Sequence, residues 1–330
     1  MKFKRAAGLL AALPLFLLTA CSTTPSLVFT ANWYYSTTNY GGVSGTSEQL
    51  TYAVTFEPSD PAASYRVEYD EGTYTTKLED TNIAEAEGNP RGYYYETQLT
   101  VTGRYYVNGE ASAEFTDSVV SKVWFLDIDK DLRPVRSEKT VYCSAPNVAA
   151  KKAKDAFVVY NYRYTSTYDT SLSKITYVYE DLKTENAEPE ENTYKLGSKG
   201  TYLDNEQMLF ALRGLPMNAS FSFRSFDSVT RTVRTVASSD APVAEQYTAT
   251  FSMKEGDGEA VSKARTISAV SVSVGFNGNN PGSSQKYVYA LCTDPGMNAY
   301  RNVLLHMETQ ALGSLGSFSY DLKEAIFNNK

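Results

Sequence analysis

The chain has 330 residues, with 31 Lys and Arg set against 38 Asp and Glu, a formal net charge of −7 and a sequence pI near 5.0. That balance argues against a nucleic-acid partner, whose phosphates call for a basic surface, and it offers no attraction to anionic lipid headgroups. Tyrosine occurs 26 times and phenylalanine 15 times, a composition suited to pleated, half-buried strands, so a mainly β chain is expected.

Lys2, Lys4 and Arg5 form a positive start, followed by an apolar run from Ala6 to Ala20 that Gly8, Pro14 and Thr19 interrupt. The run is too short and broken to span a bilayer, which needs about 20 apolar residues, but it has the layout of a secretory signal. The stretch Leu18-Thr19-Ala20-Cys21 resembles the lipobox of bacterial lipoproteins. The resemblance implies a signal peptide over residues 1–20, cut just before Cys21, and an acylated Cys21 that holds the mature chain on a membrane. Residues 21–28 then form the acylated cysteine and a short polar tether. Ser22 in place of an aspartate implies the outer membrane in a two-membrane cell, and the outer leaflet of the cell membrane in a one-membrane cell. Loss of Lys2, Lys4 and Arg5 with the signal moves the net charge from −7 to −10, so attachment would rest on the acyl chains alone.

Beyond the tether, alternation with a period of two recurs along the chain and assigns faces to strands. Leu50, Tyr52, Val54 and Phe56 share one side, with Gln49, Thr51, Thr55 and Glu57 on the other. Similar runs occur at Tyr65–Tyr69, Tyr93–Tyr105, Phe115–Phe125, Val243–Met253 and Val270–Phe276. Asn108-Gly109 and Gly256-Asp257-Gly258 supply residues that accept the positive φ of tight hairpins. The stretch 277–282 reads as a longer polar connection. Glu185 to Gly200, with Pro189 and several acids, is the least periodic stretch. One helix interrupts the strands: Asp204 is its cap, Gln207 completes a capping box, Leu209, Phe210 and Leu212 form its apolar stripe, and Gly214 and Pro216 stop it. The expected architecture is one large curved antiparallel sheet, half-barrel or barrel-like, with one or few short helices. It forms a single domain over residues 29–327, the alternative being a split near 185–200 into two tandem β-sandwiches.

The run Val123-Trp124-Phe125-Leu126 followed by Leu132-Arg133-Pro134-Val135-Arg136-Ser137-Glu138-Lys139 resembles the half-barrel lipoproteins related to LolA. So does the helix ending Leu212-Arg213-Gly214-Leu215-Pro216, and more loosely the C-terminal run from Asn302 through Gly316. The resemblance implies a long antiparallel sheet curled around an apolar groove, with short helices in or over it and an acyl chain or other lipophilic ligand inside.

Candidate site residues are few. Asp127, Asp129 and Asp131 with Glu138 imitate a calcium loop, but Leu132 stands where the sharp turn needs glycine and Pro134 follows, so a solvated hairpin turn is expected and no metal. Tyr160, Tyr162 and Tyr164 on one strand and Tyr177 and Tyr179 on the next share a face, as either an aromatic platform or cross-strand packing. These tyrosines, with Leu209 and Phe210, are the candidate lining of a ligand groove. Cys143 and Cys292 are a candidate disulfide that spacing leaves open. His306 is the only histidine and lies in an apolar run with no nucleophile motif beside it. The reading that results is a membrane-anchored, extracytoplasmic lipoprotein without enzymatic activity or cofactor. It would bind an apolar or lipid-linked ligand on the concave side of the sheet, or serve instead as a structural or adhesive tandem β-sandwich surface module; a carbohydrate-active enzyme, which needs only two carboxylates, is the third reading.

Overall fold

The structure, a computed structural model, describes residues 46–128, 131–169, 171–196, 202–213, 220–238, 240–276, 285–291 and 302–329. The signal, Cys21 and the tether, the 277–282 connection, and Gly214 and Pro216 lie outside them. The first ten strands are β1 (Thr46–Pro58), β2 (Tyr65–Tyr69), β3 (Gly72–Asn82), β4 (Arg91–Val107), β5 (Glu110–Ala111), β6 (Phe115–Ile128), β7 (Asp131–Pro146), β8 (Phe157–Tyr168), β9 (Lys174–Asp181) and β10 (Glu190–Lys195). After β11 (Tyr202–Asp204), a 3-10 turn over Asn205–Gln207 runs into the helix α1 (Met208–Leu212). Then come β12 (Ser222–Asp227), β13 (Thr232–Ser238), β14 (Val243–Glu255), β15 (Val261–Phe276), β16 (Gln285–Ala290), β17 (Leu304–Gln310) and β18 (Gly316–Asn329).

Hydrogen bonding joins these strands into one sheet with a closed part. β14 pairs with β15, β15 with β16, β16 with β17 and β17 with β18, all antiparallel. A short parallel pairing of Ser252–Glu255 with Glu324–Phe327 returns β18 to β14 and closes the circuit. From β18 the sheet continues antiparallel through β1, β3, β4, β6, β7, β8 and β9 to β10. The fold is therefore mainly β and barrel-like as expected, with a closed core and an open extension. Strands from both sides of residues 185–200 share this sheet and one core, in place of two separate sandwiches. The aperiodic stretch itself holds β10, whose exposed Glu190 and Glu191 lie at the end of the extension.

The alternation read from the sequence sets the inner face. Leu50, Tyr52 and Val54 of β1, Tyr93, Tyr95, Val101 and Tyr105 of β4, and Val123 and Phe125 of β6 are buried. In β15 the alternation changes phase: Arg265, Ile267 and Ala269 are buried, and then Val270, Val272, Val274 and Phe276. One strand thus serves two packing surfaces. Buried tyrosines need partners for their hydroxyls, and for Tyr52 and Tyr105 the backbone supplies them. Tyr52 donates to the Leu304 carbonyl at 2.8 Å and Tyr105 to that of Ser144 at 2.7 Å. Asn108 (φ 52°) and Gly109 (φ 88°) make the turn from β4 to β5, where a left-handed conformation suits both.

α1 fills the concave side. Phe210 is fully buried, with Tyr93, Tyr95 and Phe125 rings 5.4 to 6.0 Å from its own. Arg213, just past the helix, forms a bidentate pair with Glu48 of β1 at 2.7 and 2.9 Å, and the two side chains are 4% and 1% exposed. Removing one partner of such a pair strands the other charge away from water, at a cost of about 3–5 kcal/mol. Arg213→Met should therefore lower stability by about that amount in urea unfolding, and adding Glu48→Leu should recover part of the loss.

Candidate ligand site

The capping box read from the sequence is present: the Asp204 carboxylate accepts from the Glu206 amide, and the Gln207 side chain accepts from the Asp204 amide. Asp204 also accepts from Ser137 of β7 and from the Tyr168 hydroxyl at the end of β8, the latter at 2.6 Å. Burial, and after it the charge of Glu206, pushes its carboxyl up to about 6. Gln207 donates to the Leu132 carbonyl at 2.9 Å, and Lys139 pairs with Glu206 at 3.0 Å. These bonds fasten the start of the helix to β7 and β8, so Tyr168 and the Leu132–Val135 stretch have fixed positions.

Beside this network lies a cavity of about 390 Å³, at the end of the sheet where the β6–β7 hairpin turns. Its walls are the loop between β3 and β4 (Glu85, Ala86, Glu87, Pro90), Leu126, the run Arg133-Pro134-Val135, and Tyr168-Asp169. The lining is mostly apolar. Gly92 allows the loop to fold this closely, because a Cβ there would lie 2.7 Å from Ile83 and 3.1 Å from Leu126. A second hollow, about 550 Å³ and wide open, is lined by polar groups that include Glu57, Ser273, Lys286, Glu308 and Gln310.

The residues named as a groove lining do not share one wall. Phe210 is enclosed in the core, while Leu209 is half-buried, with its carbonyl accepting from Tyr289. Tyr162, Tyr164, Tyr177 and Tyr179 do come together, as a ladder across β8 and β9 with ring centroids 5.0 to 6.1 Å apart. Arg231 lies over Tyr177 and Tyr179. Tyr160, 48% exposed, stands at the solvent end of that face. The cross-strand packing reading accounts for four of the five tyrosines.

Cys143 is a free, half-buried thiol, pushed up to about 11 by burial and then by Asp117; Cys292 lies outside the described residues. The side chains of Asp127, Asp129 and Asp131 also lie outside them, while Leu132 is buried in the core and Glu138 pairs with Arg136. Among the described residues no cluster of three or more His, Cys, Asp or Glu is arranged to hold a metal ion. No helix among them is long and apolar enough to cross a membrane, which says nothing of strands. Sequence reasoning missed the 390 Å³ cavity. Its walls come from four separate segments, and only Pro90 and Pro134 carried a local signal, as breaks in strand alternation.

No family model and no curated protein matches the chain. Among solved structures it is similar to a beta-barrel-like protein of Domain of Unknown Function DUF1849 from Brucella abortus. The two share 12% identity with a TM-score of 0.46, over 86% of this chain and 98% of that one.

His306 of β17 sits between two carboxylates, with Nδ1 2.9 Å from Asp321 and Nε2 3.1 Å from Glu308. Tyr247 of β14 packs its ring against the imidazole and donates to Asp321 at 3.3 Å, which ties the β14–β15 hairpin to the barrel wall. The hydrogen bond to Asp321 raises the His306 pKa, and the pair lowers that of Asp321. A histidine bound more tightly as imidazolium in the fold stabilises fully below its unfolded value of about 6.5, and that contribution fades as pH rises through the higher folded value. Melting temperature should therefore decline as pH is raised from about 6.5, and His306→Gln should flatten this decline.

Proposed function

We propose that the protein is a lipoprotein of the cell envelope, held on the extracytoplasmic side of the cell membrane or outer membrane by acyl chains on Cys21. It is a non-enzymatic binding module for a small apolar or lipid-linked ligand. Support for the anchor comes from Leu18-Thr19-Ala20-Cys21 behind a basic and apolar leader. Two acyl chains give durable attachment where one gives only marginal binding. Support for the ligand comes from one observation, the apolar 390 Å³ cavity between the β3–β4 loop, Leu126, Pro134-Val135 and Tyr168. That volume falls in the range of about 300–1,000 Å³ typical of small-molecule sites. The packing of Phe210 against Tyr93, Tyr95 and Phe125 favours this end of the sheet over the space beside α1 as the ligand site.

A surface structural module is the second reading, and the same packing favours it. Support for the non-enzymatic part comes from the use already made of two reactive groups: His306 braces two carboxylates, and burial raises the Cys143 thiol. Fractionation of cells with wild-type protein should leave it in the membrane pellet with an acylated N-terminal cysteine by mass, and Cys21→Ala should move it to the soluble fraction. A Cys21→Ala protein that stays with membranes, together with wild type that carries no acyl mass, would remove the anchor. Lipid extraction of the purified Cys21→Ala protein should yield a small lipophilic compound, whereas the structural module would yield none.

A further inference from the structure

We infer that the connection between β7 and β8 is a docking surface for a bilayer that carries anionic phospholipid. The chain as a whole is acidic, yet its charge reverses here. Between Tyr142 and Tyr162 the charged residues are Lys151, Lys152 and Lys154 against Asp155 alone, a local balance of +2. All four are exposed, and the 4.0 Å approach of Lys154 to Asp155 is open to water and therefore weak. Exposed apolar side chains gather at the same place. Val148 is 66% exposed and Val158 45%, and Tyr142 and Tyr160 stand exposed on the two adjoining strands. Four of the nine large apolar side chains exposed among the described residues thus belong to this one hairpin.

The connection is held in one shape. The Asn147 amide donates to the Ala156 carbonyl at 2.8 Å, the Asn147 side chain to the Asp155 carbonyl at 2.9 Å, and the Tyr65 hydroxyl to the Ala156 carbonyl at 2.7 Å. Ala153 and Ala156 are buried, the latter in a small core with Tyr105 and Phe115. With the backbone pinned, the lysines and valines are already displayed, and binding need not order the loop. A soluble polyanion would need only the lysines. Lysines beside exposed aliphatic and aromatic side chains suit a lipid interface, with the charges on headgroup phosphates and the apolar groups at the acyl boundary. The connection lies at the Pro58 end of β1, fixed there by the Tyr65 bond, whereas the described residues begin at the other end with Thr46. This contact is therefore separate from an anchor at Cys21.

The test uses the chain from Ser22 onward, which keeps every described residue and lacks Cys21. Its binding is measured to vesicles of phosphatidylcholine alone and of phosphatidylcholine mixed with phosphatidylglycerol. Binding should be at least tenfold tighter to the mixed vesicles and should weaken as salt is raised. Each lysine near an anionic surface is worth about fivefold, so Lys151→Gln with Lys152→Gln should lower affinity for the mixed vesicles at least tenfold. Val148→Asn should also weaken it, without changing the salt dependence. Lys174→Gln with Lys195→Gln makes the same charge change at exposed positions of β9 and β10 and should alter binding far less. An equal loss from that pair would overturn the proposal in favour of overall charge. Equal binding to the two kinds of vesicle, or binding to neither, would overturn it without any variant and would leave the anchor and cavity readings standing. Polyphosphate binding that matches the mixed vesicles and is indifferent to Val148→Asn would replace the bilayer with a soluble polyanion.

Discussion

The buried pair between Arg213 and Glu48 is the constraint on which the arrangement of the interior depends. Glu48 lies near the start of β1, the strand that joins the closed circuit to the open extension through β18 on one edge and β3 on the other. Arg213 ends the helix that plugs the concave side. With both charges away from water, neither can leave without exposing the other to an apolar surrounding, so the C-terminal end of the helix has one place to be. Its other end is fixed as firmly by Asp204, which draws on Ser137 and Tyr168, and by Gln207 on Leu132. Phe210 lies between the two fixed ends and is pressed into the rings of β4 and β6. A five-residue helix has little stability of its own, and here its position is set by side chains and not by its backbone.

This arrangement explains how α1 is held against the concave face of the sheet. The helix is too short to cover the whole concave face, and buried tyrosines pack beside it, with Tyr52 and Tyr289 donating to backbone carbonyls. A mostly apolar space lies where the β3–β4 loop folds over the β6–β7 hairpin. Closure of the barrel part rests on a different device: four residues of β14 lying parallel to β18. The long β14–β15 hairpin reaches that position because β15 changes the phase of its alternation near Ala269, so that it contributes to the core on both sides of the bend.

Much of this was legible in the residues. Alternation identified the strands and their inner faces, Asn108-Gly109 and Gly256-Asp257-Gly258 marked turns with positive φ, and Asp204 with Gln207 marked the helix start, since each signal is local. What was not legible depends on partners far apart in sequence. Nothing local distinguishes Glu48 and Arg213 from other charged residues, and they are 165 positions apart. The parallel return of β14 to β18 has no turn to announce it. The stretch 185–200 looked like a boundary because the face of β10 is polar, and a strand exposed on nearly every residue gives no alternation to read. Phe210 was identified as apolar and helical, but whether such a residue lines a groove or fills one is decided by the curvature of the sheet opposite it.

The acidic character of β10 affects how copies of the molecule meet. Among the described residues β10 bonds only to β9, so its outer side presents backbone donors and acceptors to the surroundings. An edge of this kind is a template on which a second sheet can grow. Glu190 and Glu191, with Glu185 and Glu188 just before them, place like charges along that template, so two such edges brought side by side would confront negative charge with negative charge. The charge on β10 thus opposes the edge-to-edge pairing that its open backbone would otherwise invite.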